Sequence, residues 1–395
     1  MTRSLFLFTL LIFIALSACD NSADPAGTST STGSSTAADS PAEYLAKADM
    51  DDPTYLQYTA DDREAMTYYY LRYPEVPGID SVRGYGEGGV QMPTFDPATG
   101  RFELYFPELR GDTLLLTGVD EAATPFRLVG PFTAGAAVRR ITLGGTETAL
   151  RPTVPAVRVA PQLVNRNEPL FADLAETPEA NFTAALLPAA TADTAFNRRI
   201  NTDIYHAVTG DSTRTVLGPE FKQAIAAFAD TLMAGYLTDK PERSEVIEYP
   251  FSYSSQDDIT MTVYWNQNDL FTFALYFYNY SGGAHGNNYT ELFSYRPSQG
   301  RRITLDDLIT PARQEELLPA LERALRRQYE LDKDEPLANF LFDNEMTLTT
   351  NVALLPEGLL FSYSPYEIAA YAMGQIDLYL PFSELKGLLR EPAVK

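Results

Sequence analysis

The strongest constraint on the fold comes from apolar side chains that alternate with polar ones in three consecutive runs. One face of each extended run is therefore apolar, which is the pattern of a half-buried strand. Clean alternation of this kind favours an antiparallel sheet, because parallel strands are usually buried on both faces. The three runs are Ile247 to Tyr253, Ile259 to Trp265 and Phe271 to Phe277.

Turns and later segments extend the predicted sheet. Residues Asn266 to Asp269 are predicted to join the second and third runs, since Asn and Asp tolerate turn geometry and bond their own backbone. A fourth strand is predicted near Tyr289 to Tyr295. Further strands are predicted near Met346 to Val352, Leu359 to Tyr363 and Gln375 to Phe382.

Apolar residues spaced three or four apart predict two amphipathic helices ahead of these strands. The first follows Asp193, a helix-capping residue type, and carries Phe196, Ile200 and Ile204 on one face. The second runs from Phe221 to Tyr236. Helices that precede an antiparallel sheet indicate an α+β fold for the second half of the chain.

Two further helical segments are predicted near the end of the chain. A Leu-rich region opens after Thr310 and should be broken or kinked at Pro319. A short helix should begin at Ser364, with Glu367 completing a capping box, and end at Gly374. Ser364 and Glu367 are therefore assigned structural roles as caps.

Residues 44–165 are predicted to form a smaller, mostly-β domain of unknown role, with one helix from Asp61 to Leu71. Prolines crowd residues 160–190, which predicts a break before a second domain at 180–392. Short segments separated by Gly, Pro and Asp supply the predicted strands. They are Arg101 to Phe106, Thr113 to Leu116, Phe126 to Val129 and Val138 to Leu143.

The first residues predict export and lipid attachment. Arg3 precedes an apolar run, Leu5 to Leu16, that is too short to span a bilayer. The run leads into Leu16-Ser17-Ala18-Cys19, which resembles the lipobox of bacterial lipoproteins and implies a signal peptide at 1–18 and lipid on Cys19. An ordinary signal peptide with a chance cysteine is the alternative. Residues 19–43, rich in Ser, Thr, Gly and Ala, are predicted to be a flexible tether.

Composition argues against most catalytic chemistry. Cys19 is the only cysteine, and His206 and His285 are the only histidines, so we expect no metal site, no cofactor and no catalytic residue. The 53 carboxylates outnumber the 30 Lys and Arg side chains, which disfavours nucleic acid. The acidity is explained either by solubility or by long-range attraction of a basic partner. A carboxylate pair doing acid/base work remains an alternative.

Candidate binding residues lie at the end of the third run and in the glycine-rich loop behind it. Tyrosines on the face opposite the phenylalanines combine apolar area with a hydroxyl, which suits recognition of protein or sugar. The alternatives are tyrosines packed beneath a helix and glycines that only form a tight turn. The candidates are Tyr276, Tyr278, Tyr280, Gly282, Gly283, His285, Gly286 and Asn287.

Four segments together resemble the extracellular module of RsiV-type lysozyme-sensing anti-sigma factors. The same module accompanies the catalytic domain of PdaC-type peptidoglycan deacetylases. The resemblance covers about Asn181 to Leu389 and implies a binding module of the cell envelope. A lipid is expected in this chain in place of a signalling helix, so anti-sigma activity is not expected. Deacetylase activity is not expected either, because the sequence has only two histidines. The segments are Tyr280 to Gly286, Gly300 to Leu308, Gly358 to Gly374 and Pro381-Phe382.

Three functions agree with these features. The first is a non-catalytic lipoprotein, anchored on the periplasmic or outer face of the envelope, that binds a basic protein such as a lysozyme-type muramidase. The second is a lipoprotein that binds peptidoglycan or supports the envelope. The third is an unrecognised cell-wall hydrolase.

Overall fold

Three β-sheets and a set of short helices make up the described part of the chain. The computed structural model describes residues 54–60, 63–72, 89–105, 108–110, 113–119, 125–131, 139–143, 146–174, 176–248, 250–385 and 387–390. The predicted signal peptide, Cys19 and the tether lie outside these residues. None of the helices in these ranges is both long and apolar enough to cross a membrane.

The first sheet has nine strands in the order β4-β3-β2-β1-β9-β8-β7-β6-β5. Each neighbouring pair is antiparallel, and the predicted strands between Arg101 and Leu143 are confirmed. The strands are β1 Thr54–Ala60, β2 Arg63–Arg72, β3 Gly89–Asp96, β4 Arg101–Tyr105, β5 Glu108–Arg110, β6 Thr113–Val119, β7 Pro125–Pro131, β8 Arg139–Leu143 and β9 Thr146–Pro152.

The helix predicted from Asp61 to Leu71 is wrong, because its described part, from Arg63 onward, forms strand β2. It pairs with β1 from Thr54 opposite Arg72 to Thr59 opposite Thr67. A threonine and three consecutive tyrosines occupy its centre, and β-branched and aromatic residues fit a pleated surface better than a helix. Cross-strand pairing therefore outweighed the apolar spacing from which the helix was predicted.

The second sheet has six strands in the order β10-β11-β12-β13-β14-β15. Strands β11 and β12 are parallel, since the chain crosses over between them through helices, and the other neighbours are antiparallel. The predicted second, third and fourth runs are confirmed as strands. The bounds are β10 Gln162–Pro169, β11 Glu179–Leu186, β12 Ser255–Gln267, β13 Leu270–Tyr280, β14 Asn287–Arg296 and β15 Arg301–Ile303.

Two amphipathic helices in that crossover cover one face of the second sheet, as predicted. Helix α1, Thr194–Thr209, begins at Asp193, whose carboxylate accepts the N–H groups of Ala195 and Phe196. Helix α2 spans Phe221–Thr238. Their apolar faces and the phenylalanines of β13 form the first hydrophobic core.

The strand predicted at Ile247 to Tyr253 is wrong. The segment forms helix α3, Arg243–Glu248, and then a 3-10 turn at Pro250–Tyr253. Pro250 has no N–H to donate to a strand ladder. Ile247 is 63% exposed, so the alternation in this run does not mark a buried face.

The third sheet packs against the opposite face of the second and forms the second core. It contains β16 Val352–Leu355, β17 Gly358–Tyr363 and β18 Ile376–Pro381. The same core holds helix α4, Leu305–Leu308, and helix α5, Leu318–Gln328. The predicted break at Pro319 is confirmed, because a 3-10 segment, Pro311–Leu317, ends where α5 begins with Pro319 in its first turn.

The strand predicted at Met346 to Val352 is misplaced along the chain, because β16 begins only at Val352. Asn351 occupies the point where a ladder would otherwise continue. Its side chain accepts the Leu292 N–H and donates to the carbonyls of Thr290 and Ser362. These side-chain bonds to two neighbouring strands add to one backbone bond, in which the Ser362 N–H donates to the Asn351 carbonyl at 3.1 Å.

The hairpin of β3 and β4 reaches from the first sheet into the second core. Phe95 is 4% exposed, with its ring centroid 5.8 Å from Trp265 and 6.1 Å from Tyr379. Polar contacts join the same sheets at the end of β12, where Asn266 bonds Tyr55 and Val157. The first and second sheets therefore share both an apolar and a polar contact. The domain boundaries proposed from the sequence stay predictions.

Candidate binding site

The two faces of β13 have different environments at its last residues. Phe271, Phe273, Leu275 and Phe277 lie in the first core, beneath the helices. The three tyrosines of the opposite face are each partly exposed. Their partners on β12 across the ladder are Thr260 for Tyr276, Asp258 for Tyr278 and Gln256 for Tyr280. The tyrosines are therefore not buried beneath α1 or α2.

The loop that follows β13 needs its glycines for backbone geometry. Gly282 and Gly283 both have φ of 92°, a region that side chains rarely adopt. A Cβ on Gly282 would also lie 2.4 Å from the carbonyl oxygen of Ser252. The Tyr280 hydroxyl donates to the Gly283 carbonyl at 3.0 Å. The loop is thus folded back on the last tyrosine of the strand.

Gly286 is the point where this loop meets the tyrosine face. A Cβ there would lie 2.5 Å from ring atoms of Tyr278, so only glycine fits under that ring. The Tyr371 hydroxyl donates to the Gly286 carbonyl at 2.7 Å, and His285 Nδ1 lies 3.0 Å from the same oxygen. The His285 ring stacks on Tyr371 with centroids 4.1 Å apart. His285 is exposed, and Asn287, also exposed, begins β14 beside it.

The helix predicted from Ser364 to Gly374 is wrong, and the turn that replaces it exposes another aromatic ring. Tyr366 has φ of 69°, which is incompatible with a right-handed helix. Glu367 accepts the Ser364 N–H at 2.9 Å, so its carboxylate closes a turn. A 3-10 segment follows at Tyr371–Met373.

Tyr366 lies 5.5 Å from Tyr371 between ring centroids and is 54% exposed. Phe342, 55% exposed, is adjacent, because its N–H donates to the Ile368 carbonyl at 2.9 Å. We call Tyr278, Tyr280, His285, Phe342, Tyr366 and Tyr371 the aromatic cluster. The sequence left Tyr366 and Tyr371 open between a core and an interface role, and it did not single out Phe342. No pattern in the sequence marked them as exposed beside the loop.

The electrostatics of the cluster are those of neutral phenols next to carboxylates. Burial raises the pKa of Tyr276, and the nearby Tyr278, Tyr371 and Asp258 raise it further. Burial also raises the pKa of Tyr278, and the nearby Tyr371 and Asp258 raise it further. The raised pKa keeps the phenols of Tyr276 and Tyr278 protonated, so each has an O–H to donate. None of the six residues of the cluster is Lys or Arg.

The arrangement offers ring surface and hydroxyl groups for contact. Among the residues that the structure describes, no group of three or more His, Cys, Asp or Glu side chains is placed to hold a metal ion. The other histidine, His206, lies on α1, where Nε2 contacts the Arg214 carbonyl at 2.7 Å. The two histidines therefore belong to different parts of the fold.

Two family models match separate parts of the chain. Residues 306–383 match the model described as "Protein of unknown function (DUF3298)". Residues 177–288 match the model described as "Deacetylase PdaC". The aromatic cluster draws on both segments, since its loop ends the second match and Phe342, Tyr366 and Tyr371 lie in the first. A search of curated proteins finds no match.

One solved structure of a DUF3298 protein shares its fold with part of this chain. A member from Bacteroides fragilis is 24% identical, with a TM-score of 0.54, and the match covers 60% of this chain and 95% of that one. A family protein from Pseudomonas aeruginosa is 19% identical, with a TM-score of 0.44 and the same coverage. The first supports the predicted α+β class. The resemblance to RsiV-type proteins stays a prediction.

Proposed function

We propose that this chain is a non-catalytic accessory module of the bacterial cell envelope and that its aromatic cluster binds a basic protein. The observation that carries the proposal is the partly exposed cluster of four tyrosines, one histidine and one phenylalanine, of which Tyr278, His285 and Tyr371 contact Gly286. Tyrosine and histidine rings held on a folded loop provide large contact area at low entropic cost. The matches to DUF3298 and to the PdaC model support an envelope setting.

Charge supports a basic partner. The chain has a net charge of −23 at neutral pH, so its field attracts cations over the Debye length, about 10 Å at 0.1 M salt. Asp258 and Glu367 lie beside the cluster, where lysine or arginine side chains of a partner would contact both a carboxylate and a ring. A lysozyme-type muramidase is the partner implied by the resemblance in the sequence.

Replacing Tyr371 or His285 by alanine should weaken binding to a basic lysozyme-type muramidase by roughly 10- to 100-fold, the range of central aromatic contacts. Titration calorimetry at low and moderate salt measures this effect. The matched control is Tyr289→Ala, because Tyr289 is 41% exposed but stacks on Phe277 of the opposite face. Equal weakening in all three variants, or binding that disappears entirely at moderate salt, would show simple charge attraction instead.

We also propose that lipid on Cys19 holds this module at a membrane. Several acyl chains on one residue anchor a protein stably, whereas one chain does so only marginally. A Cys19→Ser variant should therefore shift from the membrane fraction to the soluble fraction of cells. Recovery of that variant with membranes, at the level of the parent chain, would argue against lipid anchoring.

A further inference from the structure

A single carboxylate, Asp377, lies between the second and third sheets. It belongs to β18, where the ladder places it opposite Ser362 of β17. Gln375, two residues earlier, accepts the Thr290 hydroxyl of β14 and so bridges the two sheets. Asp377 and Gln375 both keep a partly exposed surface, so solvent reaches them. We call the space around the Asp377 carboxylate the slot.

The Gln375 side chain is held in one orientation from both of its ends. Its carbonyl oxygen accepts the hydroxyl of Thr290, which is buried. Its amide nitrogen therefore faces Asp377, at 2.8 Å from Oδ1 and 2.9 Å from Oδ2. Nearly equal distances put this nitrogen between the two oxygens, where the paired N–H groups of a guanidinium would otherwise bind. A carboxylate has about four lone-pair sites, so the outer side of each oxygen can still accept bonds.

The Asp377 carboxylate has no cationic partner among the residues that the structure describes. Burial raises the pKa of Asp377, whereas contacts with Ser362 and Gln375 lower it. Burial, followed by the charge of Asp377, raises the pKa of Tyr264 and of Tyr329, so both phenols lie near the slot. An enclosed carboxylate without a counter-charge is costly, and carboxylates of this kind in partly open slots are frequent in binding sites.

Aromatic rings near Asp377 suit the stem of a cationic ligand. The Tyr264 ring lies 4.9 Å from Phe102 of β4, and the Tyr329 ring lies 4.5 Å from Phe340, between centroids. Phe102, Tyr329 and Phe340 are partly exposed. Ring faces attract cations, and long charged side chains pack their methylene stems on apolar surface. A single carboxylate among rings is suited to an organic cation, whereas Ca²⁺ and Mg²⁺ take several oxygen ligands.

We propose that the slot binds a primary ammonium group on an alkyl stem, the group that a lysine side chain carries. Its three N–H donors bond the outer sides of the Asp377 oxygens as a point charge, while Gln375 occupies the position that a guanidinium fork needs. The slot therefore prefers lysine to arginine. The ammonium group has two sources, a lysine of the basic partner and a free amine, and the first of these rests on the proposed function.

The first test is titration of the full chain with n-butylammonium chloride at constant ionic strength, followed by the amide chemical shifts around Asp377. n-Butylguanidinium chloride should bind at least roughly tenfold more weakly, and Asp377→Asn should weaken ammonium binding roughly 10- to 100-fold, the effect of a lost charged hydrogen bond. The matched control is Asp306→Asn, which should leave binding unchanged. Asp306 is an exposed residue of α4 that also accepts a glutamine amide, from Gln314 at 2.7 Å.

A Gln375→Ala variant separates a role in selectivity from a structural one. Removal of the amide opens the position between the two Asp377 oxygens, so n-butylguanidinium should then bind at least as tightly as n-butylammonium. This reversal is measurable even if Asp377→Asn does not fold. Equal binding of the two probes to the parent chain, no ammonium binding at all, or an unchanged preference in Gln375→Ala would overturn the inference.

Guanidination of the muramidase distinguishes the two sources, because it converts lysines to homoarginines and keeps their charge. The modified muramidase should bind the parent chain roughly tenfold more weakly than the native one, and this difference should vanish in Asp377→Asn. Equal binding of both forms, with n-butylammonium still bound, would assign the slot to a free amine. A muramidase that does not bind the chain would contradict the proposed function alone, since the probe titrations do not involve it.

Discussion

Replacing Asn266 by alanine is expected to lower the free energy of unfolding by roughly 3 to 5 kcal/mol, because several buried polar groups lose their partner at once. Asn266 is 0% exposed. Its side chain accepts the Val157 N–H at 2.8 Å and donates to the Val157 carbonyl at 2.9 Å and the Tyr55 hydroxyl at 3.1 Å. Urea unfolding followed by circular dichroism measures the change.

Asn268 is the matched control for this prediction. It lies two residues further on, in a two-residue turn where Asn268 and Asp269 have φ of 51° and 55°. Positive φ at both positions is the geometry of a type I′ hairpin, which glycine also adopts easily. Asn268→Gly should therefore change stability by less than about 1 kcal/mol. Similar losses in the two variants would contradict the assigned role of Asn266.

Phe95→Ala is expected to cost roughly 3 to 5 kcal/mol, the usual range for removing a buried phenylalanine. The ring lies between Trp265 and Tyr379 and joins the first sheet to the second core. Because Trp265 is the only tryptophan, the tryptophan fluorescence reports on the surroundings of this one ring, which include Phe95. We expect a shift to longer wavelength in the variant, together with a lower urea midpoint.

The neighbouring Thr94 provides the control for the Phe95 variant. Its side chain points to the opposite face of β3 and donates to the Glu103 carbonyl at 3.3 Å. Thr94→Ala should leave Trp265 fluorescence unchanged and alter stability by no more than about 1 kcal/mol. If Phe95→Ala left both the fluorescence and the midpoint of the parent chain unchanged, the hairpin would not hold the two parts together.

Both predictions concern the contact between the first sheet and the rest, and this contact was not predicted. Asn266 was assigned to the turn, whereas it lies at the last but one position of β12 and bonds residues more than 100 positions away. Sequence patterns report on the local environment of a residue, such as one face of a strand or helix. They do not identify the distant backbone groups that a buried amide satisfies.

Local patterns predicted the elements that bury one continuous apolar face. The runs at Ile259 to Trp265 and Phe271 to Phe277 form β12 and β13, and Asp193 caps α1 as its residue type implies. The predictions failed where a tertiary contact or a backbone restriction decided the structure. Pairing with β1 made Arg63 to Leu71 a strand, Pro250 prevented a strand, and Tyr366 prevented a helix.

The candidate site likewise has some features that local sequence determined and others that tertiary contacts decided. The sequence by itself determined that tyrosines alternate with phenylalanines on β13 and lead into a loop of glycines, because period two and glycine are local properties. Only the tertiary structure decided that Tyr371 and Tyr366 join that loop, about 85 residues away in the chain, through the Gly286 carbonyl. The pairing of strands likewise decided that Gln256 lies between Asn181 and Tyr280, since register between distant strands is set by the whole sheet.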